Sequence, residues 1–218
     1  GRLTEAEIGC HLARDAALAR GQYSILLTAE FTALRLAVLS GKTPDAALER
    51  LRQTLKENRQ FLLLRSLDLC RAWLDAQRGR VCGDEWFMAP EADASFLNPV
   101  LPMVRTVQNE VLLASGAYTK LLARRDACEA LNEGLHTNLA SLYLHIQLAC
   151  AENRLGRTDA ARRELETACS IAVPDGLYLP FAEHAAYLGA LLPEIFAGNA
   201  AAAAVLRCTA KPNSSGLS

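Results

Sequence analysis

Thr158-Asp159-Ala160-Ala161-Arg162-Arg163-Glu164-Leu165-Glu166-Thr167-Ala168-Cys169-Ser170-Ile171-Ala172 follows directly on Leu155-Gly156, and its reading decides the fold class. Ala161, Leu165, Ala168 and Ala172 fall at steps of four, three and four, which lays them along one face of an α-helix while charged side chains fill the other. Leu48, Leu51 and Leu55 repeat the pattern earlier, and Ala117, Leu121, Cys128 and Leu131 repeat it more loosely. Ala, Leu, Arg and Glu dominate the chain, and β-branched residues are scattered instead of gathered into alternating runs, so strands are not expected. The spacing predicts an all-α protein with helices over 4–20, 22–40, 43–59, 61–78, 98–115, 117–133, 136–155, 157–173, 180–196 and 199–209. Start signals agree: Thr4 with Glu7 fits a capping box, and Thr43-Pro44-Asp45 reads as N-cap, first-turn proline and a carboxylate at the positive helix end.

Outward from Gly156 the chain shows a period. Apolar helices end at Leu39-Ser40-Gly41, Ala76-Gln77-Arg78-Gly79, Leu113-Ala114-Ser115-Gly116 and Leu155-Gly156, so the closing glycines recur at intervals of 38, 37 and 40 residues. A second, more polar helix follows each glycine except Gly79. A two-helix unit of about 34–47 residues is the mark of tetratricopeptide-like (TPR-like) solenoids. The prediction is a right-handed TPR-like helix-hairpin solenoid of about five helix pairs over 1–210, with 211–218 as a polar linker. The alternative is an irregular bundle whose glycines happen to be evenly spread; three near-equal intervals with matching flanks favour the solenoid. One unit is degenerate: Arg80–Leu97 carries Gly83 and Pro90, and is expected to hold a short helix around 83–88 and a long connector whose Trp86, Phe87 and Phe96 fill a gap in the stack.

Charge and cysteine usage narrow the function classes. The 218 residues hold 23 basic and 24 acidic side chains, a formal net charge of −1 with a pI near 6.5, so no cationic surplus is there to neutralise a phosphate backbone. Although 51% of residues are hydrophobic, charges interrupt every apolar run before the ~20 residues a membrane span needs. A charged-then-apolar leader is not found at the start. Seven cysteines, an odd number without any CxxC or HxxxH pair, read as reduced thiols of a cytoplasmic protein, with no disulfide framework, metal or cofactor. Cys70, Cys128, Cys150 and Cys169 sit at core spacing as small hydrophobes.

The segment Leu155-Gly-Arg-Thr-Asp-Ala-Ala-Arg-Arg-Glu-Leu165, with Ala172-Val-Pro-Asp-Gly-Leu-Tyr-Leu-Pro-Phe181 and Leu188 to Leu192, resembles the last repeats of the helical sensor region in large LuxR-type transcriptional regulators, the ATP-dependent group that includes the maltose-regulon activator. The match runs from Gly156 to Leu192, with His184-Ala185 where the family usually has an acidic-glycine pair, and the weaker glycine-ended repeats extend it over about 30–200. The resemblance implies a repeat region lying between a STAND-type NTPase and a LuxR-type helix-turn-helix, with Leu217-Ser218 where the latter would begin. It implies a ligand- or partner-sensing module that is neither catalytic nor itself DNA-binding, whose partner is a small-molecule inducer, a peptide or a protein. DNA would be reached only through the C-terminal domain, and no membrane is involved. No GxxxxGK(S/T) phosphate loop occurs in these residues. The alternative is a stand-alone TPR-type protein-interaction scaffold. A third class, a hydrolase or lyase of (α/α) architecture, needs an acid/base pair that the sequence does not offer.

Aligning the repeats on their closing glycines exposes two polar stripes. Eleven residues before each glycine stand Glu30, Asp68, Arg105 and His145; Arg71, Gln108 and Glu152 continue that helix face. Six residues before the glycine stand Arg35, Trp73 and Glu110, with Cys150 in the last repeat. One reading makes these ten residues, cysteine aside, a concave wall that binds a small polar ligand or a peptide. The other makes them inter-repeat ion pairs, Asp68 with Arg105 for instance, because a buried charge needs a partner. Catalytic sets are weak. His136 and His145 are nine residues apart, on opposite faces of a helix, and the side chains of Cys10 and His11 diverge by about 100°. No catalytic residue and no metal ligand is expected.

Overall fold

The structure, a computed structural model, describes residues 2–81 and 86–199. All of its regular structure is helical, as the sequence predicts. Twelve α-helices are described: α1 (Arg2–Ala19), α2 (Tyr23–Leu39), α3 (Asp45–Glu57), α4 (Phe61–Ala76), α5 (Leu101–Ala114), α6 (Tyr118–Leu122), α7 (Arg125–Gly134), α8 (Asn138–Arg154), α9 (Thr158–Ala172), α10 (Leu179–Glu183), α11 (Ala185–Leu188) and α12 (Leu191–Ile195). Three 3-10 turns, Trp86–Met88, Pro90–Ser95 and Asn98–Val100, occupy the degenerate connector. The chain divides there, between Ala92 and Asp93, into two compact units. The expected helix at 199–209, the linker at 211–218 and the start of the short helix at 83–88 lie outside the described residues.

A single hydrogen-bond motif closes the apolar helices. The N–H after the glycine bonds the carbonyl five residues back: Lys42 to Ala37, Arg80 to Asp75, Ala117 to Leu112 and Arg157 to Glu152, each at 2.9 Å. The closing residue must then take a positive φ, which Gly41, Gly79, Gly116 and Gly156 do at 68 to 76°. Glycine has no Cβ to oppose that angle, so the 38/37/40 spacing is the spacing of these turns. The same closure ends α3 and α7, but there Arg59 (φ 56°) and His136 (φ 53°) hold the left-handed position.

In the first unit α2 packs against α1, α3 and α4, and α3 lies on α4. The amphipathic α3 buries the stripe Leu48, Leu51 and Leu55, whereas α4 buries seven residues including Leu67, Trp73 and Leu74. In the second unit α8 is the hub, touched by α5, α6, α7, α9, α10 and α11. That explains why α8 is buried around most of its circumference from Leu142 to Ala151, while α9 buries Ala161, Leu165, Ala168 and Ala172 on one face, the four residues its spacing singled out. Phe181 and Phe196 close the end of this unit edge to face at 4.9 Å.

Four expectations fail locally. The capping box does not form, because α1 begins at Arg2 and Thr4 lies inside it; Pro44, not Thr43, occupies the N-cap of α3, with no side-chain cap bond. The helix expected over 117–133 is broken into α6 and α7: the Arg124 N–H bonds Leu121 three residues back, a tightened turn that splays Arg124 and Arg125 apart. The helix expected over 180–196 is cut at His184 and again at Gly189, whose φ of 53° and ψ of −126° no helix accommodates.

Candidate functional site

The two stripes meet different environments. At the eleven-before position Glu30, Asp68, Arg105 and His145 are all half-buried, and Arg71 and Glu152 beside them are too, whereas Gln108 on the same face is buried. At the six-before position Trp73, Glu110 and Cys150 are buried and only Arg35 is half-buried. One stripe therefore runs along the open margin of the hairpins and the other faces the neighbouring helix.

In the first unit Arg35 lies over two rings, with its guanidinium carbon 5.6 Å from the centroid of Phe31 and 5.8 Å from that of Trp73. Asp68 accepts from Arg52 at 2.7 Å and from the indole N–H of Trp86 at 3.4 Å, and Arg65 lies 4.6 Å over that indole. Arg71 has no carboxylate within ion-pair reach among the described residues. Asp68 is thus paired from α3 of its own hairpin. Arg105, proposed as its partner on sequence grounds, bonds Asp93 and Gln108. A groove of about 480 Å³ between α1 and α2 is lined by Ala6, Gly9, Ala13, Ile25 and Thr28, and none of the stripe residues lines it.

In the second unit the marginal stripe becomes a polar strip across four helices. Arg105 Nη2 bonds Asp93, and its Nη1 reaches Gln108 Oε1 at 3.0 Å; Arg124, from the α6–α7 break, donates to the same oxygen. Burial holds the Arg124 pKa below its ordinary value, with the Arg105 charge adding to the effect. Arg125 turns the other way, to Glu164 on α9, whose second oxygen accepts from His145 Nδ1 at 2.9 Å. Burial alone would raise the Glu164 carboxyl, but the hydrogen bonds from His145 and Arg125 outweigh it and hold the pKa below the usual carboxylate value. Glu152 is paired with Arg157 at 3.3 Å.

Glu110 behaves otherwise. It is 1% exposed, and its Oε2 accepts from Gln147 at 2.7 Å and meets His184 Nε2 at 2.9 Å. The His184 ring is fully buried, and its Nδ1 donates to the Pro180 carbonyl at 2.7 Å. A carbonyl on one nitrogen and a carboxylate on the other place both nitrogens to donate, the arrangement that favours an imidazolium. Burial opposes that charge, but Glu110 and the Pro180 carbonyl outweigh it and hold the His184 pKa above its ordinary value. Gln147 also donates to the Thr106 carbonyl, and Tyr143 donates to Glu183 at 2.8 Å beside the His184 ring. No ligand reaches this sealed pair; it ties α5, α8 and the end of α10 together.

Sequence reasoning missed Arg124, Arg125, Glu164, Gln147 and His184. The first two were absorbed into a continuous helix. His184 carried a signal, since it departs from the family pattern at the position that meets Glu110. His136 is a turn residue. Among the described residues no group of three or more His, Cys, Asp or Glu is placed to hold a metal ion, and no helix is long and apolar enough to cross a membrane. Burial pushes the Cys70 thiol up to about 12 and Cys169 to about 11, and raises Cys150 well above a free thiol. The chain matches no family model, no curated protein and no solved structure.

Proposed function

We propose that this chain is a non-catalytic sensing module built from TPR-like helix pairs, the repeat region of a LuxR-type transcriptional regulator. It takes up a small-molecule inducer or a peptide along the half-buried polar strip of the second unit. In this reading the module is cytoplasmic and reaches DNA only through a separate helix-turn-helix domain. One observation carries the sensing role: Arg105, Gln108, Arg124, Arg125, His145 and Glu164 line up across α5, the α6–α7 break, α8 and α9, the first two and His145 on helices that are otherwise largely apolar. The likeness of Gly156–Leu192 to the closing repeats of the regulator family supports the wider assignment. Sensing needs differential affinity for two arrangements of the helices, and a ligand that bridges α5 to α7 acts at a joint between successive hairpins.

The test is a thermal-shift screen of the purified chain against sugars, amino acids and short peptides. A ligand at 100 times its dissociation constant raises stability by about 2.7 kcal/mol. A hit whose shift disappears on replacing His145 or Arg105 supports the reading. Absence of any shift with these three classes and with small oxyanions overturns it.

A further inference from the structure

Arg105 and Arg124 converge on one neutral acceptor, the Oε1 of Gln108. Each guanidinium carries five N–H donors. Among the described residues only three of the ten are engaged: two on Gln108 and one on Asp93. Among the described residues Asp93 is the only carboxylate paired with either arginine, so there two positive charges share one negative one in a half-buried setting. Arg124 has no carboxylate within ion-pair reach among the described residues. The second oxygen of Asp93, Oδ1, is buried and has no hydrogen-bond donor among them. The arrangement lacks one negative charge and one donor near the same place. The guanidinium of Arg105 and the outer edge of Asp93 reach solvent beside the buried oxygen, since the Arg105 side chain is 25% exposed and that of Asp93 36%.

We infer that Arg105 and Arg124 form a binding site for a small oxyanion that also carries a hydroxyl or protonated oxygen, seated between the two guanidinium groups with its donor on Asp93 Oδ1. Planar guanidinium forks match the paired oxygens of carboxylates and phosphates, which a single ammonium does not. The anion offsets the like-charge repulsion between the arginines, and its donor satisfies a carboxylate oxygen that is otherwise costly to leave bare. Monohydrogen phosphate has both features, as does a hydroxycarboxylate. This inference rests on the strip being the sensing surface and names the chemistry of its ligand.

The experiment measures melting temperature against added inorganic phosphate, lactate and, as ionic-strength control, sodium chloride, for the wild-type chain and for Arg124→Gln and Asp93→Asn. Phosphate or lactate is expected to raise the melting temperature beyond chloride at equal ionic strength, and the arm that responds identifies the oxyanion class. Arg124→Gln is expected to weaken that binding about tenfold or more, the loss of one charge-assisted contact. Asp93→Asn removes the competing carboxylate, so chloride and simple acetate should begin to bind while the preference for a hydroxyl-bearing anion is lost. Because each readout is a ligand-induced shift within one variant, a change in basal stability does not obscure it. Equal shifts with chloride, or a phosphate shift that persists in Arg124→Gln, would overturn the site. If neither oxyanion acts but a neutral sugar or peptide does, the anion site falls and the sensing role stands; if nothing acts, both fall.

Discussion

Replacing Glu110 by Leu removes one half of an ion pair that is almost entirely shut off from water, the carboxylate being 1% and the imidazole 0% exposed. The His184 ring would keep its donor to Pro180 but face an apolar side chain with its other N–H, and Gln147 would keep only the Thr106 carbonyl. Breaking a buried pair from one side costs about 3–5 kcal/mol, because a charge is left uncompensated. Replacing both partners, Glu110→Leu with His184→Leu, removes the stranded charge, and such double replacements range from neutral to stabilising. The double variant should therefore be more stable than the Glu110→Leu single variant. The pH dependence has a fixed sign. The folded-state pKa of His184 is raised above about 6.5, so the native protein keeps a proton that the unfolded chain releases. The pair's contribution is complete below that pH and is lost as pH rises through the folded-state value, at no more than about 1.4 kcal/mol per pH unit. Urea unfolding of the wild type, both single variants and the double variant, at closely spaced pH values from acid to alkaline, measures both effects. Losses in the double variant equal to the sum of the singles, within about 0.5 kcal/mol, would show that the two side chains do not interact. A wild-type minus His184→Leu difference that grows as pH rises above about 6.5 would refute the protonation assignment.

Gly156→Val forces a β-branched residue to a φ of 75° and should cost about 1–3 kcal/mol, read as a lower urea midpoint; an unchanged midpoint would dismiss the turn. His136→Gly relieves a left-handed non-glycine residue and should raise stability by several tenths of a kcal/mol or more, with Arg59→Gly behaving alike. In a double-mutant cycle, Arg52 and Asp68 should couple by up to about 1 kcal/mol, as expected for a partly exposed pair bonded at 2.7 Å. Cys70 and Cys150 should resist thiol reagents at pH 8 in the folded protein and react on unfolding, which a timed modification assay with and without urea resolves.

Helix type and hairpin turns were readable because both follow from local rules. The four-three-four spacing of Ala161, Leu165, Ala168 and Ala172 is a property of one helix, and a glycine after an apolar helix marks a left-handed closure without reference to anything distant. The turns at Arg59 and His136 were invisible for the converse reason: the same closure is imposed there by the flanking helices on residues with no preference for it. The missed capping box shows how weak a four-residue signal is, since Thr4 fits the pattern and lies within a helix. The candidate site was half legible. Arg105, Gln108 and His145 stood out as polar residues in apolar helices, but their partners Arg124 and Glu164 lie on more polar helices where charge is unremarkable. Only the tightened turn after Leu121 sends Arg124 to α5 and Arg125 to α9.

The two stripes separate for a geometrical reason. Positions eleven and six before a closing glycine are five residues apart, or about 140° around a helix, so both cannot face the same neighbour. In α5 the first position carries Arg105 to the margin and the second carries Glu110 into the seam shared with α8 and α10. In α8 the same offsets put His145 at the margin with Glu164 and bury Cys150 completely. The first unit follows suit, with Asp68 half-buried and Trp73 buried on α4. Pairing and ligand binding are therefore not rival accounts of one set of residues. Charge at the seam must be neutralised internally, as Glu110 is by His184, because water cannot reach it. Charge at the margin keeps access to solvent and is free to be incompletely matched, as Arg105 and Arg124 are. A substitution at the margin leaves the helix packing in place, whereas any change at the seam is first a change in stability.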